Sequence, residues 1–248
     1  LALGAPAGVM TFLVLRRYRE THPIPHDYIG QRMEETVGRY RPERHRVHRY
    51  IGGKFRHDPV YRQVAGLAPL PGPIVDIGCG RGQTMLLLSA LDPGVEGVGV
   101  DHDISRIEIA RRASAGLTGL RFEQGDARSW PIPDAGTVLM VDILHYNPRE
   151  VQDALVRRAA RCLLPGGLLL IRDIDTALGA RAQVSIIQER VGRILGMNKG
   201  QTLCFRPMAE IAGVLASEGL VTAKVAVSTG FSPGNVLIEA RRPNEISR

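Results

Sequence analysis

The stretch Ile74-Val75-Asp76-Ile77-Gly78-Cys79-Gly80-Arg81-Gly82-Gln83 decides how the chain is read. Four residues of strand character run straight into glycines at alternate positions, and a helical pattern begins at about Gly82. Glycine is needed where the backbone turns sharply and a ligand approaches with no Cβ in the way. Free N–H groups at the start of the helix suit an anionic group such as a carboxylate. A dinucleotide loop reads G-x-G-x-x-G, and its third glycine would fall at position 83, where this chain has Gln. That departure counts against NAD or FAD. A tight strand-to-helix turn that binds nothing stays open as the alternative.

Working outward, strand-like runs alternate with helical stretches: Val95–Val100 before Ile104–Ala115, Leu120–Glu123, Thr137–Val141 before Pro148–Leu164, then Leu168–Ile171. Such alternation predicts a parallel sheet with crossover helices. Helices are expected at Ala182–Leu195 and Met208–Ser217, and two closely spaced strands at Ala223–Val227 and Asn235–Ala240. Strands that close pair antiparallel, because a parallel return needs a longer crossover. The expected architecture is α/β: a doubly wound, seven-stranded, mostly parallel sheet with a C-terminal antiparallel hairpin. Asp101 then ends the second strand, where a carboxylate can accept from both hydroxyls of a ribose. Asp126 ends the third, within reach of an adenine amino group. Taken singly, each is as well read as a loop carboxylate or a helix cap.

This pattern resembles the class I S-adenosylmethionine-dependent methyltransferases over about residues 54–241, and implies their Rossmann-like fold. Asp76–Gly82 matches the family's D-x-G-x-G-x-G loop, which implies that Asp76, Gly78, Cys79, Gly80 and Gly82 hold the methionine part of S-adenosyl-L-methionine. Asp101 matches the ribose-binding acid, and Asp126-Ala127 the pair that frames the adenine. His102 departs from the apolar residue common beside the adenine, and an imidazole can stack there. Val141–Tyr146 is similar to the segment after the family's fourth strand, and Leu164-Pro165-Gly166-Gly167-Leu168 to the turn into its fifth.

Methyl transfer chiefly needs donor and acceptor aligned and water excluded. A hydroxyl acceptor also needs a base. His145, with Tyr146, lies just past the fourth strand and is the candidate; the alternative is that it packs beneath the cofactor. Asp142 meets the cofactor's ammonium group or caps the turn. Arg172-Asp173-Ile174-Asp175 orients a polar substrate or forms an internal ion pair. No metal site is expected, and a solvated face accounts for His45 and His48.

Of 248 residues, 44% are hydrophobic, which excludes disorder of the whole chain and a multispan membrane protein. Cys79, Cys162 and Cys204 make neither a disulfide framework nor a C-x-x-C zinc site, so a reducing cytoplasm is expected. The net charge of +7 is concentrated between Arg16 and Arg56, where 11 Lys or Arg stand against 5 Asp or Glu. An anionic neighbour there, or codon bias toward Arg, accounts for it equally. Residues 1–15 are apolar but for Thr11, and Arg16, Arg17 and Arg19 follow. The run is short for a span. The open readings are the end of a transmembrane helix, an interfacial anchor at the inner membrane face, or a start-site error upstream of Met10.

Residues 21–72 read as a helical extension or lid, helical in two pieces over 29–50 with Pro42 dividing them and Gly52-Gly53 closing the second. Asp58-Pro59 starts another helix. The charged segment Arg41–Arg49 and Ala182–Pro207 are expected to form the lid, and 73–248 the cofactor-binding domain. A methyltransferase acting on a small-molecule, lipid-like or carrier-bound acceptor is the leading expectation. Leu144-His145-Tyr146, Arg157-Arg158-Ala159-Ala160-Arg161 and Leu169–Asp173 look like methyltransferases encoded beside bacterial fatty-acid or polyene assembly genes, which implies acyl carrier protein as a partner. The alternatives are RNA methylation driven by the basic segment, disfavoured by 5% aromatic content, and a membrane-associated module that binds the cofactor without turnover.

Overall fold

A computed structural model of the protein describes residues 24–194, 203–228, 230 and 232–244. The expectations for residues 1–20, and for part of the lid at 195–202, lie outside the described residues.

At the centre is β1 (Ile74–Ile77), buried at all four positions. It pairs in parallel with β2 (Gly97–Asp101) on one side and β4 (Ala135–Val141) on the other. Beyond β2 lies β3 (Leu120–Gln124); beyond β4 lies β5 (Leu163–Ile174). The edge is antiparallel: β7 (Asn235–Arg241) runs against β5 and carries β6 (Val221–Val227). The order β3-β2-β1-β4-β5-β7-β6 is the seven-stranded, doubly wound sheet expected from the alternation. Strand order reverses between β1 and β4, where open α/β sheets leave a crevice at their carboxyl ends.

Side-chain alternation divides the core in two. Ile74, Leu139, Leu168 and Leu170 face one apolar cluster. It is shared with α1 (His26–Gly38), α2 (His45–His57), α3 (Val60–Ala65), α4 (Gln83–Leu91) and α5 (Ile104–Ala113). Val75, Ile77, Val138, Met140 and Ile171 face the other, covered by α6 (Arg149–Arg161) and α8 (Met208–Ser217). Between them in sequence lies α7 (Ala180–Ile194), packed through Ala182 and Ile186 against Ile174.

Two boundaries differ from the sequence reading. Gly52-Gly53 does not close α2; the helix runs on to His57, because Ile51 and Phe55 on either side are buried and tertiary packing overrides the low helix propensity of glycine. And β5 begins at Leu163, not Leu168. Leu163 already pairs with Ala135, and a register shift before the Thr137–Leu168 pair accommodates Pro165-Gly166-Gly167, with Gly166 at φ +73°.

The N-terminal helices are tied to the sheet by charge as well as packing. Asp58 accepts from the Val60 N–H at 3.2 Å, starting α3. The same carboxylate lies 2.9 Å from Nη1 of Arg172, which is 2% exposed at the end of β5. Arg172 Nη1 also donates to Asp142 Oδ2, just past β4, at 3.0 Å. Arg172→Ala would leave two enclosed carboxylates without their shared cation. Urea denaturation should show it destabilised by about 3–5 kcal/mol, and a loss below about 1 kcal/mol, the range of a surface pair, would contradict that account.

Candidate active site

The glycines after β1 have different tasks. Gly78 and Gly82 both stand at φ +78°, and a Cβ would come 2.1 Å from Ile143 Cγ2 at the first and 2.7 Å from Phe122 Cζ at the second. Those two allow close internal packing. Gly80, at φ +56°, faces open space: a Cβ there would meet nothing nearer than Gln83 Oε1 at 3.9 Å. Its N–H donates to Asp101 Oδ2 at 2.9 Å, while Asp101 Oδ1 accepts from the Asp103 N–H at 2.9 Å. Two backbone donors thus aim the Asp101 carboxylate from the tip of β2, with lone pairs to spare.

Asp76, in β1, is 2% exposed, and its Oδ2 has no hydrogen-bond partner among the described residues. Burial, and then the nearby Asp101 charge, push its carboxyl up to about 7. Burial also pushes the Cys79 thiol well up, so this side chain is a packing element. His102 is exposed, with Nδ1 3.4 Å from Asp101 Oδ1. Asp126 is engaged by Arg128, whose Nε donates to both its oxygens at 2.9 Å. The Ala127 carbonyl accepts from Arg158. The loop, Asp101, His102 and Asp76 are therefore brought together, while Asp126 already has a cation two residues away.

Three tyrosines from the N-terminal helices reach the loop, and none was singled out by the sequence reading. Tyr40 donates to the Arg81 carbonyl at 2.8 Å, Tyr61 accepts from Gln83 Nε2 at 3.1 Å, and the Arg81 guanidinium lies 4.8 Å from the Tyr50 ring centre. Lys54 Nζ reaches Asp58 at 3.2 Å with 32% of its side chain exposed. Burial opposes the charge of Asp58, but Arg172 and Lys54 outweigh it and hold this carboxyl below its ordinary range.

At the tips of β4 and β5 the candidates are already partnered. Asp142 adopts φ +56°, a left-handed conformation in which Asp is among the tolerated residues. Its two oxygens accept from Arg172 and from Asn235 Nδ2, each at 3.0 Å, and burial pushes its pKa up. His145 opens a 3-10 turn's second position and is 1% exposed. Its Nδ1 lies 2.7 Å from Asp173 Oδ1, and its Nε2 3.8 Å from Glu189 on α7. Burial alone would lower the imidazole pKa, but Asp173 and then Glu189 outweigh burial and raise it to about 10. His145 is thus held as a cation. Of the two roles considered for it, the geometry favours packing over base chemistry. Tyr146 donates to Glu189 at 2.8 Å, and burial together with that carboxylate raises its pKa. Of the readings of Arg172–Asp175, internal pairing is the one observed. Among the described residues no group of three His, Cys, Asp or Glu side chains could hold a metal ion.

Residues 74–167 match the methyltransferase domain family model. Over that stretch the chain is similar to a methyltransferase domain, and its fold is one that solved S-adenosylmethionine-dependent methyltransferases share. The chain is similar to trans-aconitate 2-methyltransferase of Sinorhizobium fredii, 32% identical over 122 residues, covering 48% of this chain and 46% of that one. It is also similar to fatty-acid O-methyltransferase of Mycolicibacterium smegmatis, 33% identical over 117 residues, covering 46% of this chain and 42% of that one. The matched stretch thus spans less than half of either relative. Magnesium protoporphyrin IX methyltransferase from Synechocystis PCC 6803, solved with S-adenosylhomocysteine, shares the fold: TM-score 0.59, 20% identity, 94% of this chain and 99% of that one.

The charge state of His145 has a consequence for stability. Its folded pKa lies above the unfolded value, so its contribution is complete below about pH 6.5 and is lost as pH rises through 10. The stability difference between the parent and His145→Gln should shrink by on the order of 2–4 kcal/mol between pH 6.5 and 10. A difference that stays constant in denaturant titrations across that window would overturn the assignment.

Proposed function

We propose that the protein transfers a methyl group from S-adenosylmethionine to the carboxylate of a small-molecule or lipid-like acid. The observation that carries this reading is the pairing of His145, the candidate base past β4, with Asp173 and Glu189, which holds it already engaged. An alcohol must lose a proton on the way to product; a carboxylic acid has already lost it near neutrality. The two relatives support the same class, since trans-aconitate and fatty acids are both carboxylic acids.

The residues around the loop fit the cofactor. Asp76 presents a buried acceptor with no partner, suited to a cationic group, and Gly80 leaves a cradle that any Cβ would fill. Asp101, aimed by two amides, takes the ribose hydroxyls, with the Gly78–Gly82 turn alongside and His102 and Ala127 flanking the adenine. Asp126 would share its charge with Arg128, and Asp142, with both oxygens engaged, is assigned to Arg172 rather than to the ligand. When bound, the cofactor supplies a methyl group on a sulfonium sulfur that an acceptor oxygen displaces in line. The chain's own work is to orient and to exclude water. The helices of residues 21–72 and α7 do so as a lid, supported by the Tyr40 and Tyr61 bonds to the loop and by the Glu189 bond from Tyr146. Lys54, a third exposed, is the cation that meets an incoming carboxylate.

With methyl-labelled donor, a panel of di- and tricarboxylic acids, fatty acids, phenols and RNA should yield label in an alkali-labile ester; label on phenol or RNA would overturn the reading. Calorimetry should show Asp101→Ala binding donor at least about tenfold more weakly, given the loss of a charged acceptor. In the parent, donor affinity should rise with pH through about 7 as Asp76 ionises, and Asp76→Asn should abolish that rise. Unchanged affinity in both variants would remove the site.

A further inference from the structure

We propose that Gln83 is a further donor-binding residue, whose side-chain oxygen accepts from the ammonium group of S-adenosylmethionine, and that Tyr61 positions it. The proposal rests on the reading of the loop after β1 as the donor site, and names a second acceptor beside Asp76 for the methionine end.

Gln83 opens α4, at the position where a dinucleotide loop would carry its third glycine. Its Oε1 is enclosed and has no hydrogen-bond partner among the described residues. The same atom is the nearest one to the point where a Cβ on Gly80 would stand, at 3.9 Å. An unpartnered oxygen therefore borders the space that Gly80 keeps clear. Asp76, 2% exposed, carries the other unpartnered oxygen described in this strand, loop and helix. Enclosed acceptors are costly to leave unmet. An ammonium answers both, with three N–H donors and a positive charge. A carboxylate or phosphate would bring acceptors to acceptors and set its charge against Asp76.

The Gln83 amide is oriented from outside the loop. Its Nε2 donates to the Tyr61 hydroxyl at 3.1 Å, which leaves Oε1 for the ligand. Tyr61 is itself well held: it is 4% exposed, and its ring packs edge-on against Phe55 with centres 4.7 Å apart. Burial pushes its pKa up, so the hydroxyl stays neutral. It belongs to α3, whose first turn is tied through Asp58 to Arg172. Tyr40, fully buried after α1, holds the Arg81 carbonyl two residues before Gln83 at 2.8 Å. The N-terminal helices thus do more than cover the loop. One of their tyrosines decides which end of an amide faces the crevice.

The test is calorimetry with two probes: S-adenosylhomocysteine, which carries the amino-acid end, and methylthioadenosine, which lacks it. Gln83→Leu should bind S-adenosylhomocysteine about tenfold more weakly and methylthioadenosine as the parent does. Gln83→Glu keeps an oxygen in place and should stay within about threefold of the parent for both. Tyr61→Phe keeps the ring and removes the hydroxyl, and should cost about three- to tenfold for S-adenosylhomocysteine alone. That cost should vanish when Tyr61→Phe is combined with Gln83→Glu, because a carboxylate has the same atom at both ends. Parent-like binding by Gln83→Leu, equal losses for both probes, Gln83→Glu as weak as Gln83→Leu, or an undiminished Tyr61→Phe cost in the double variant would each overturn the proposal and leave the donor site standing. A parent that binds neither probe would remove the donor site, and the proposal with it.

Discussion

The guanidinium of Arg172 is the constraint on which the site depends. It is almost fully enclosed at the end of β5, where an uncompensated charge would be costly to bury. Asp58 from the N-terminal helices and Asp142 from the turn after β4 compensate it, and Asn235 at the start of β7 holds the second oxygen of Asp142. Four separate stretches of chain therefore meet around one cation. Register makes this possible: Arg172 lies opposite Val141 in β4 and Leu237 in β7, so its guanidinium emerges beside the residue that follows β4 and the one that opens β7. The left-handed backbone at Asp142 is held by the same bonds.

The next residue along β5 faces the other way. Strand alternation sends Arg172 to the side of the N-terminal helices and Asp173 to the side of α6 and α8, where it meets His145. Adjacent residues on one strand thus close two ion-paired clusters on opposite faces of the sheet. Both are internal, and both consume groups that could otherwise act on a ligand. Among the acids described at the carboxyl edge, Asp76 keeps an unpartnered oxygen and Asp101 is oriented by two amides with lone pairs to spare. The acidic groups with spare capacity described at this edge therefore lie on the β1–β2 side.

How much of this was legible in the sequence follows from how local each interaction is. The glycine loop, the order of strands and Asp101 were readable because a strand, a turn and a helix are determined within a dozen residues. Asp126 and Arg128 are equally local, and that pairing was available to a reading that looked for it. The bridge from Arg172 to Asp58 spans 114 residues, and that from Tyr146 to Glu189 spans 43, so neither leaves a periodic trace. Asp58-Pro59 reads as a helix start, and the Asp58 carboxylate does accept from the Val60 N–H there, but nothing in its neighbours announces a second role. The same holds for Gly52-Gly53: two glycines signal a stop, and only the burial of Ile51 and Phe55 in three dimensions explains why the helix passes through them.

The glycine loop itself shows why a motif can reveal fold and site together. Two of its glycines are required by the protein's own packing, one against Ile143 beyond β4 and one against Phe122 in β3. Those contacts fix the loop between three strands and set the start of α4. The middle glycine has no such neighbour, and its amide is spent on orienting Asp101. A spacing of glycines at alternate positions is therefore a record of two demands at once: outer positions that draw the strand tips close, and a central one that keeps the space between them clear. Because the first demand creates the crevice and the second leaves it open, the fold and the ligand-binding geometry are consequences of the same few residues.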